Sequence, residues 1–255
     1  MKQFSTTYIF IFAAALCLAC STMISVTAVS LRERQETNQV LDRKKSVLLA
    51  TRIIEANESV TAQRVEELFS DIHSVVIDLE TGEVDEDYNA DEYDFATTPK
   101  ISAPSNQAQI QQIPLKAQVF QVLDGDEIEM LVLPIYGQGL WSTMYGFLAL
   151  DSDTRTVRGI TYYEHGETPG LGGEVDNPRW KNRWPGRKVF DEDWEPHIQV
   201  IKGQAGPPDE DPHRVDGLSG ATITARGVSH MINFWLDEHG FGPYLENFRE
   251  EQGSV

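Results

Sequence analysis

Residues 114–137 read PLKAQVFQVLDGDEIEMLVLPIYG: two runs rich in Val, Leu and Ile on either side of Asp124-Gly125. An Asp-Gly pair between hydrophobic runs is a strong short-range hairpin signal, because glycine accepts the positive φ that a tight, right-twisted connection needs. Two more strand-like runs follow, WSTMYGFLALD (141–151) and TVRGITYYE (156–164). Together they spell a meander. Strands come first and a helix closes the chain: in TARGVSHMINFWLDEHG (224–240), Val228, Met231, Ile232 and Trp235 share one helical face. No repeat is visible, so the expected class is α+β, an antiparallel sheet with flanking helices.

Upstream, the chain begins with an apolar run. Residues 8–29, YIFIFAAALCLACSTMISVTAV, carry no charge. About 20 apolar residues span a bilayer core, and the run exceeds a usual signal-peptide core, so an uncleaved transmembrane anchor is expected. Residues 31–56 are rich in helix formers and continue the anchor as a stalk, a short helix follows at 62–69, and HSVVIDLETGEV (73–84) reads as strand and turn. Residues 80–95 hold eight acidic side chains and no basic one. Their spacing fits no EF-hand loop, and a solvated loop is expected. The resulting division is a short N-terminus (1–7) placed in the cytoplasm, the anchor (8–29), a helical stalk with an acidic, polar connecting region (30–112), and the main domain (113–255).

Composition excludes several functions. Lys+Arg 21 against Asp+Glu 40 gives a formal charge of −19, which disfavours nucleic acid and anionic membrane surfaces as partners of the soluble part. Both cysteines, Cys17 and Cys20, lie in the apolar run. The rest of the chain therefore has no thiolate for an iron–sulfur cluster and no disulfide. No metal site is expected.

Two segments carry the chemistry. D-G-L-S-G-A-T-I-T (216–224) leads into the closing helix; Ser219 or Thr222 can cap it, Gly220 permits close backbone approach, and free amides at a helix start favour a phosphate. HGETPGLG (165–172) opens a long loop, 165–190, in which Trp180 and Trp184, with Trp194 just beyond, supply anchors. Its glycines at 166, 170, 172 and 173 allow a flat ring to approach, while Glu167 and Thr168 can hydrogen-bond a polar edge. His165 can titrate near neutral pH.

The first segment resembles the flavinylation motif D-x-x-[ST]-G-A-[ST]-x-[ST] of the FMN-binding domain family, with Asp216, Ser219, Gly220, Ala221, Thr222 and Thr224 on its defined positions. The resemblance implies FMN held through a phosphoester to Thr224, placed there by a flavin transferase that moves the FMN unit from FAD in an Mg²⁺-dependent reaction. HGETPGLG is similar to the family's second signature, which implies that His165, Glu167, Thr168, Gly170, Leu171 and Gly172 lie against the flavin. PIYGQGLWSTMYGFLAL (134–150) and GGEVDNPRW (172–180) are similar to the C-subunit family of Na⁺-translocating NADH:quinone reductases; the G-subunit family of Rnf-type electron-transport complexes shares the anchor, the loop type and the threonine.

Either resemblance implies an electron carrier in a membrane complex, without a catalytic residue of its own. It would relay electrons from an iron–sulfur centre in neighbouring subunits toward another flavin and quinone, with sodium export belonging to the assembled complex. A cofactor-free anchored scaffold would account for the anchor, the charge and the Trp-rich loop equally well. The family is flavinylated outside the bacterial inner membrane, which implies a periplasmic domain. The charge count points the other way, with Lys2 before the anchor and Arg32, Arg34, Arg43, Lys44 and Lys45 after it.

Overall fold

The computed structural model describes residues 5–55 and 58–253. Residues 1–4 of the expected N-terminus, Ala56 at the end of the expected stalk, and the last two residues of the expected domain lie outside them. The chain forms two compact units, Met1–Asp42 and Arg43–Val255.

The first unit consists of most of α1 (Thr6–Ala50), a helix whose last residues belong to the second unit. Residues 8–29 are exposed and uncharged along it. Among the described residues α1 is the one helix long and apolar enough to cross a membrane, and it fits a membrane anchor.

The second unit runs through α2 (Ala62–Phe69), β1 (Ile72–Asp78), β2 (Lys100–Ser102), β3 (Gln112–Pro114), β4 (Lys116–Asp124), β5 (Glu127–Gln138), β6 (Thr143–Asp151) and β7 (Val157–Glu164). It continues with α3 (Pro178–Lys181), β8 (Gln199–Val200), β9 (Arg214–Val215), α4 (Thr222–Leu236) and α5 (Gly242–Glu251). The main sheet has the order β1-β4-β5-β6-β7, every pair antiparallel. The β4–β5 connection is Gly125-Asp126, one position beyond the Asp124-Gly125 pair that signals it: Asp124 still pairs with Glu127, and Gly125 at φ +66° takes the first turn position, where glycine is favoured. β2 pairs with β3, and β8 pairs with β9 in parallel. The fold is α+β, as expected.

β1 lies in the stretch read from sequence as connecting region, yet it is the edge strand of the main sheet. Its register runs from Ile72↔Val122 to Asp78↔Lys116. Antiparallel pairing with β4 buries Val76 and Ile77, and Lys116 closes the end of the pair on Asp85. In the β-branched run HIQVIKG (197–203) only the two residues of β8 are in a ladder, since the partner strand β9 is equally short.

One sheet face carries α4. Leu131, Leu133, Ile135, Met144 and Leu148 from β5 and β6 form one core with Val228, Met231, Ile232 and Trp235. Trp235 Nε1 donates to the Tyr136 carbonyl at 2.7 Å, which satisfies the one polar atom of a buried indole. The helix can lie this close because glycines stand where the two elements cross. A Cβ on Gly137 would be 2.5 Å from Met231 Cβ, and one on Gly227 would run into the Gln138 carbonyl. On the opposite face Phe69 meets Phe120 edge-on at 5.7 Å, and Arg43 lies over Phe147. Lys44 pairs with Glu66 and covers Phe69.

The long loop is ordered by its tryptophans. Trp184 is fully buried and packs edge-on against Trp180, while Trp194 stays half-exposed under the guanidinium of Arg249.

The crossing of α4 over β5 gives a test. Alanine in a helix gains about 1 kcal/mol over glycine, but at Gly227 its methyl meets backbone, and overpacking against a rigid strand costs about 1–3 kcal/mol. Gly227→Ala is therefore expected to lower stability despite its better helix propensity, measured as a reduced thermal unfolding midpoint.

Candidate functional site

α4 begins where the small-residue segment ends. Its N-cap is Ala221, with no side chain capping it, and not Ser219 or Thr222 as the sequence suggested. Ser219 and Thr222 point to solvent. The chain is turned into the helix by Gly220 at φ +72°, in the left-handed region where a Cβ is disfavoured, and by the Ala221 amide donating to the Leu218 carbonyl at 3.1 Å. The first amides of α4 are thus left without a side-chain acceptor, at the positive end of a fifteen-residue helix.

Thr224, in the first turn, is fully buried. Its Oγ1 donates to Oε2 of Glu167, itself buried. The other carboxylate oxygen, Oε1, accepts from the Trp141 amide at 2.9 Å. Burial pushes the Glu167 carboxyl up, but hydrogen bonds from the Thr224 hydroxyl and from the amides of Trp141, Leu140 and Ser142 outweigh it and hold the group below its ordinary 4.5. Glycines make the room. A Cβ on Gly172 would be 2.6 Å from both Glu167 Oε2 and Thr224 Oγ1, and one on Gly139 would be 2.6 Å from Glu167 Oε1.

The loop 165–173 is pinned at its start and folded back on itself at its end. Gly166 N donates to Ser142 Oγ at 2.6 Å. His165 accepts from the Glu167 amide on Nδ1 at 3.2 Å, so Nε2 carries the proton that meets Asp176 Oδ2 at 2.7 Å. Asp176 also draws in Lys181 at 3.6 Å, whose ammonium is held below its usual range by burial despite that partner. At the other end the amides of Leu171 and Gly173 both donate to the Thr168 carbonyl, with Gly170 at φ +76° in the turn.

The structure brings Glu167, Leu171, Gly172, Gly220 and Thr224 together. Leu171 Cδ2 would lie 2.9 Å from a Cβ on Gly220. His165 stands one bond back, acting on the Glu167 amide, and the Thr168 side chain is exposed. Asp216 is occupied elsewhere: Oδ1 accepts from Ala205 N at 2.9 Å, Oδ2 faces Arg183 at 3.4 Å, and its carbonyl accepts from Trp180 Nε1 at 2.8 Å. Sequence reasoning missed the 139–142 turn and Asp176. The sequence pattern starts a strand at Trp141, whereas β6 begins at Thr143 and Trp141 sits in the turn, 67% exposed. Leu140, Leu171 and Ile223 are exposed as well, so apolar surface surrounds the buried hydroxyl. Among the described residues no cluster of three or more His, Cys, Asp or Glu suits a metal ion.

An α+β domain following one long apolar helix, with an uncapped helix start, a glycine-lined loop and a threonine between them, defines a class, and comparison with known proteins agrees: the family model of the FMN-binding domain matches residues 139–237. Over nearly its full length the chain is similar to the C-subunits of Na(+)-translocating NADH-quinone reductase from Yersinia pestis (43% identical, 92% of this chain and 90% of that one) and from Pseudomonas aeruginosa (39% identical, 98% of each). It belongs to this C-subunit family, NqrC. The crystal structure of Shewanella oneidensis NqrC superposes with a TM-score of 0.73 at 32% identity, covering 81% of this chain and 96% of that one. The corresponding protein from Parabacteroides distasonis gives 0.64 at 27% identity, covering 84% and 96%.

The Glu167 contact has a pH signature. A carboxyl held below its unfolded value contributes stability that is present above that value and is lost as pH falls through the folded one. Unfolding of the unmodified chain should therefore become easier as pH drops below 4.5, and Glu167→Gln should remove part of that slope, read from urea midpoints across the acid range.

Proposed function

We propose that this chain is the membrane-anchored, FMN-carrying subunit of a Na⁺-translocating NADH:quinone reductase, with FMN esterified through its phosphate to Thr224. The observation that carries the reading is the placement of Thr224: a hydroxyl in the first turn of an uncapped helix, beneath a loop lined by glycines. The donor set suits a phosphate. Helix-start amides and the helix dipole favour an anion there, Gly220 bears no Cβ at the helix start and Gly172 lets the loop backbone pack onto the threonine, and the exposed Leu140, Trp141, Leu171 and Ile223 offer apolar surface for a flat ring.

Bound FMN would supply one-electron redox chemistry. The chain's own residues would set its surroundings: Leu171 and Trp141 exclude water from the ring, the 165–173 backbone offers polar contacts at its edge, and the His165–Asp176 pair holds that backbone in register. In this reading the electron comes from an iron–sulfur centre and leaves toward another flavin and quinone in other subunits. Sodium export belongs to the whole complex, since residues 8–29 contain no charged side chain to form an ion path. A flavin transferase is the maturation partner, using FAD and Mg²⁺.

We place the large domain in the periplasm and the anchor in the bacterial inner membrane. Two of the five cations that oppose this orientation are engaged in the folded unit: Arg43 lies over Phe147, and Lys44 pairs with Glu66. Protease added to intact spheroplasts is expected to cleave the large domain; protection would reverse the placement.

A covalently held flavin survives denaturation, so the denatured chain from cells containing the transferase should fluoresce under ultraviolet light in a gel. Thr224→Ala should be dark and Thr222→Ala bright. A dark wild-type band would favour the cofactor-free scaffold.

A further inference from the structure

The closed site does not admit the group it is proposed to carry. Thr224 has no solvent exposure, and its Oγ1 is hydrogen-bonded to the Glu167 carboxylate. Gly172 packs against the same oxygen, so closely that a Cβ built on it would stand 2.6 Å away. A phosphorus bonded to Oγ1 stands nearer to that oxygen than any hydrogen-bond partner, and it brings two further oxygens that share a negative charge. Oε2 of Glu167 occupies that volume. The carboxylate is ionised there, held by the Trp141 amide and the hydroxyl, so its charge would also repel the ester.

Glu167 is therefore matched to the free hydroxyl and mismatched to the ester. It is also the residue through which the loop closes. Past the pinned Gly166, and among the described residues, the side-chain hydrogen bond between the loop and α4 is that of Thr224 to Glu167. Withdrawing the Glu167 carboxylate from both Thr224 and the Trp141 amide frees the turn 167–173 to lift as a unit, with Gly170 already in the left-handed region.

We propose, resting on the assignment of Thr224 as the attachment residue, that Glu167 latches the loop 165–173 shut over the unmodified threonine. The flavin is then attached only to chains whose loop is open, either before the domain has closed or during local opening, and Glu167 is displaced from the oxygen once the ester is in place. The transfer itself balances simply. Thr224 Oγ1 bonds to the FMN phosphorus of FAD, the phosphoanhydride bond breaks, AMP leaves, and the hydroxyl proton passes out of the site with it. Glu167 is a positioning residue here, acting before the transfer and not during it.

The test uses the full chain, purified folded and in detergent from cells lacking the transferase, then mixed with transferase, Mg²⁺ and FAD, with flavin incorporation followed by fluorescence of the denatured band. Wild type should label slowly, Glu167→Ala at least tenfold faster, and urea below the unfolding transition should speed wild type while leaving the variant nearly unchanged. The urea series on wild type alone decides the matter if Glu167→Ala does not fold. Equal rates for folded wild type, variant and urea-treated wild type would overturn the latch while leaving the attachment at Thr224 intact. Wild type that stays dark even when made together with the transferase would overturn the attachment assignment, and the latch with it.

Discussion

The close crossing of α4 over the β5–β6 hairpin governs the rest of the molecule. It depends on the absence of side chains at Gly137, Gly139 and Gly227, each of which sits where a Cβ would strike the partner element or Glu167. That proximity carries the first turn of α4 to the 139–142 turn, so that the Trp141 amide, the Glu167 carboxylate and the Thr224 hydroxyl fall into one line of hydrogen bonds. Interiors pack near the density of organic crystals, so a helix moved outward by one methyl would break that line. Sheet, helix and loop therefore have to be correct together for the site to exist.

The site is built from a secondary element, a turn and a loop, in decreasing order of rigidity. Thr224 is on a helix packed through Val228, Met231 and Trp235 into the core. The Trp141 amide is at the end of a strand pair. The 165–173 segment is fixed by a few polar contacts to Ser142, Asp176 and its own backbone, and segments held in this way open at lower free energy than the core does. A carrier whose cofactor must be installed, and whose ring must stay accessible to donor and acceptor, is well served by that gradient. The ring-facing side chains proposed above are exposed, while the attachment oxygen is the most deeply sealed atom of the group.

Much of this was legible in the residues. The hairpins follow from Asp124-Gly125 and from runs of branched residues, the closing helix from the spacing of Val228, Met231, Ile232 and Trp235, and the short helix at 62–69 from local composition; each is signalled by residues close together in the chain. What the sequence hid is tertiary. β1 finds β4 some forty residues on, a pairing that no local pattern announces. Ala221 is the N-cap because Gly220 turns the chain there, although Ser219 and Thr222 have better capping side chains. Glu167 turns inward to Thr224, not outward to solvent, because the Trp141 amide and a hydroxyl await it, and those come from segments that meet only after folding. Asp176 gained its role in the same way, through His165 and Lys181.

Thr224 as the flavin's point of attachment is the claim on which the functional account turns. Trypsin releases residues 215–226, VDGLSGATITAR, as one peptide that contains Ser219, Thr222 and Thr224. Fragmentation mass spectrometry of that peptide, from chain made together with the transferase, should place the mass of FMN less one water on Thr224. An unmodified peptide, or the added mass on Ser219 or Thr222, would contradict the account.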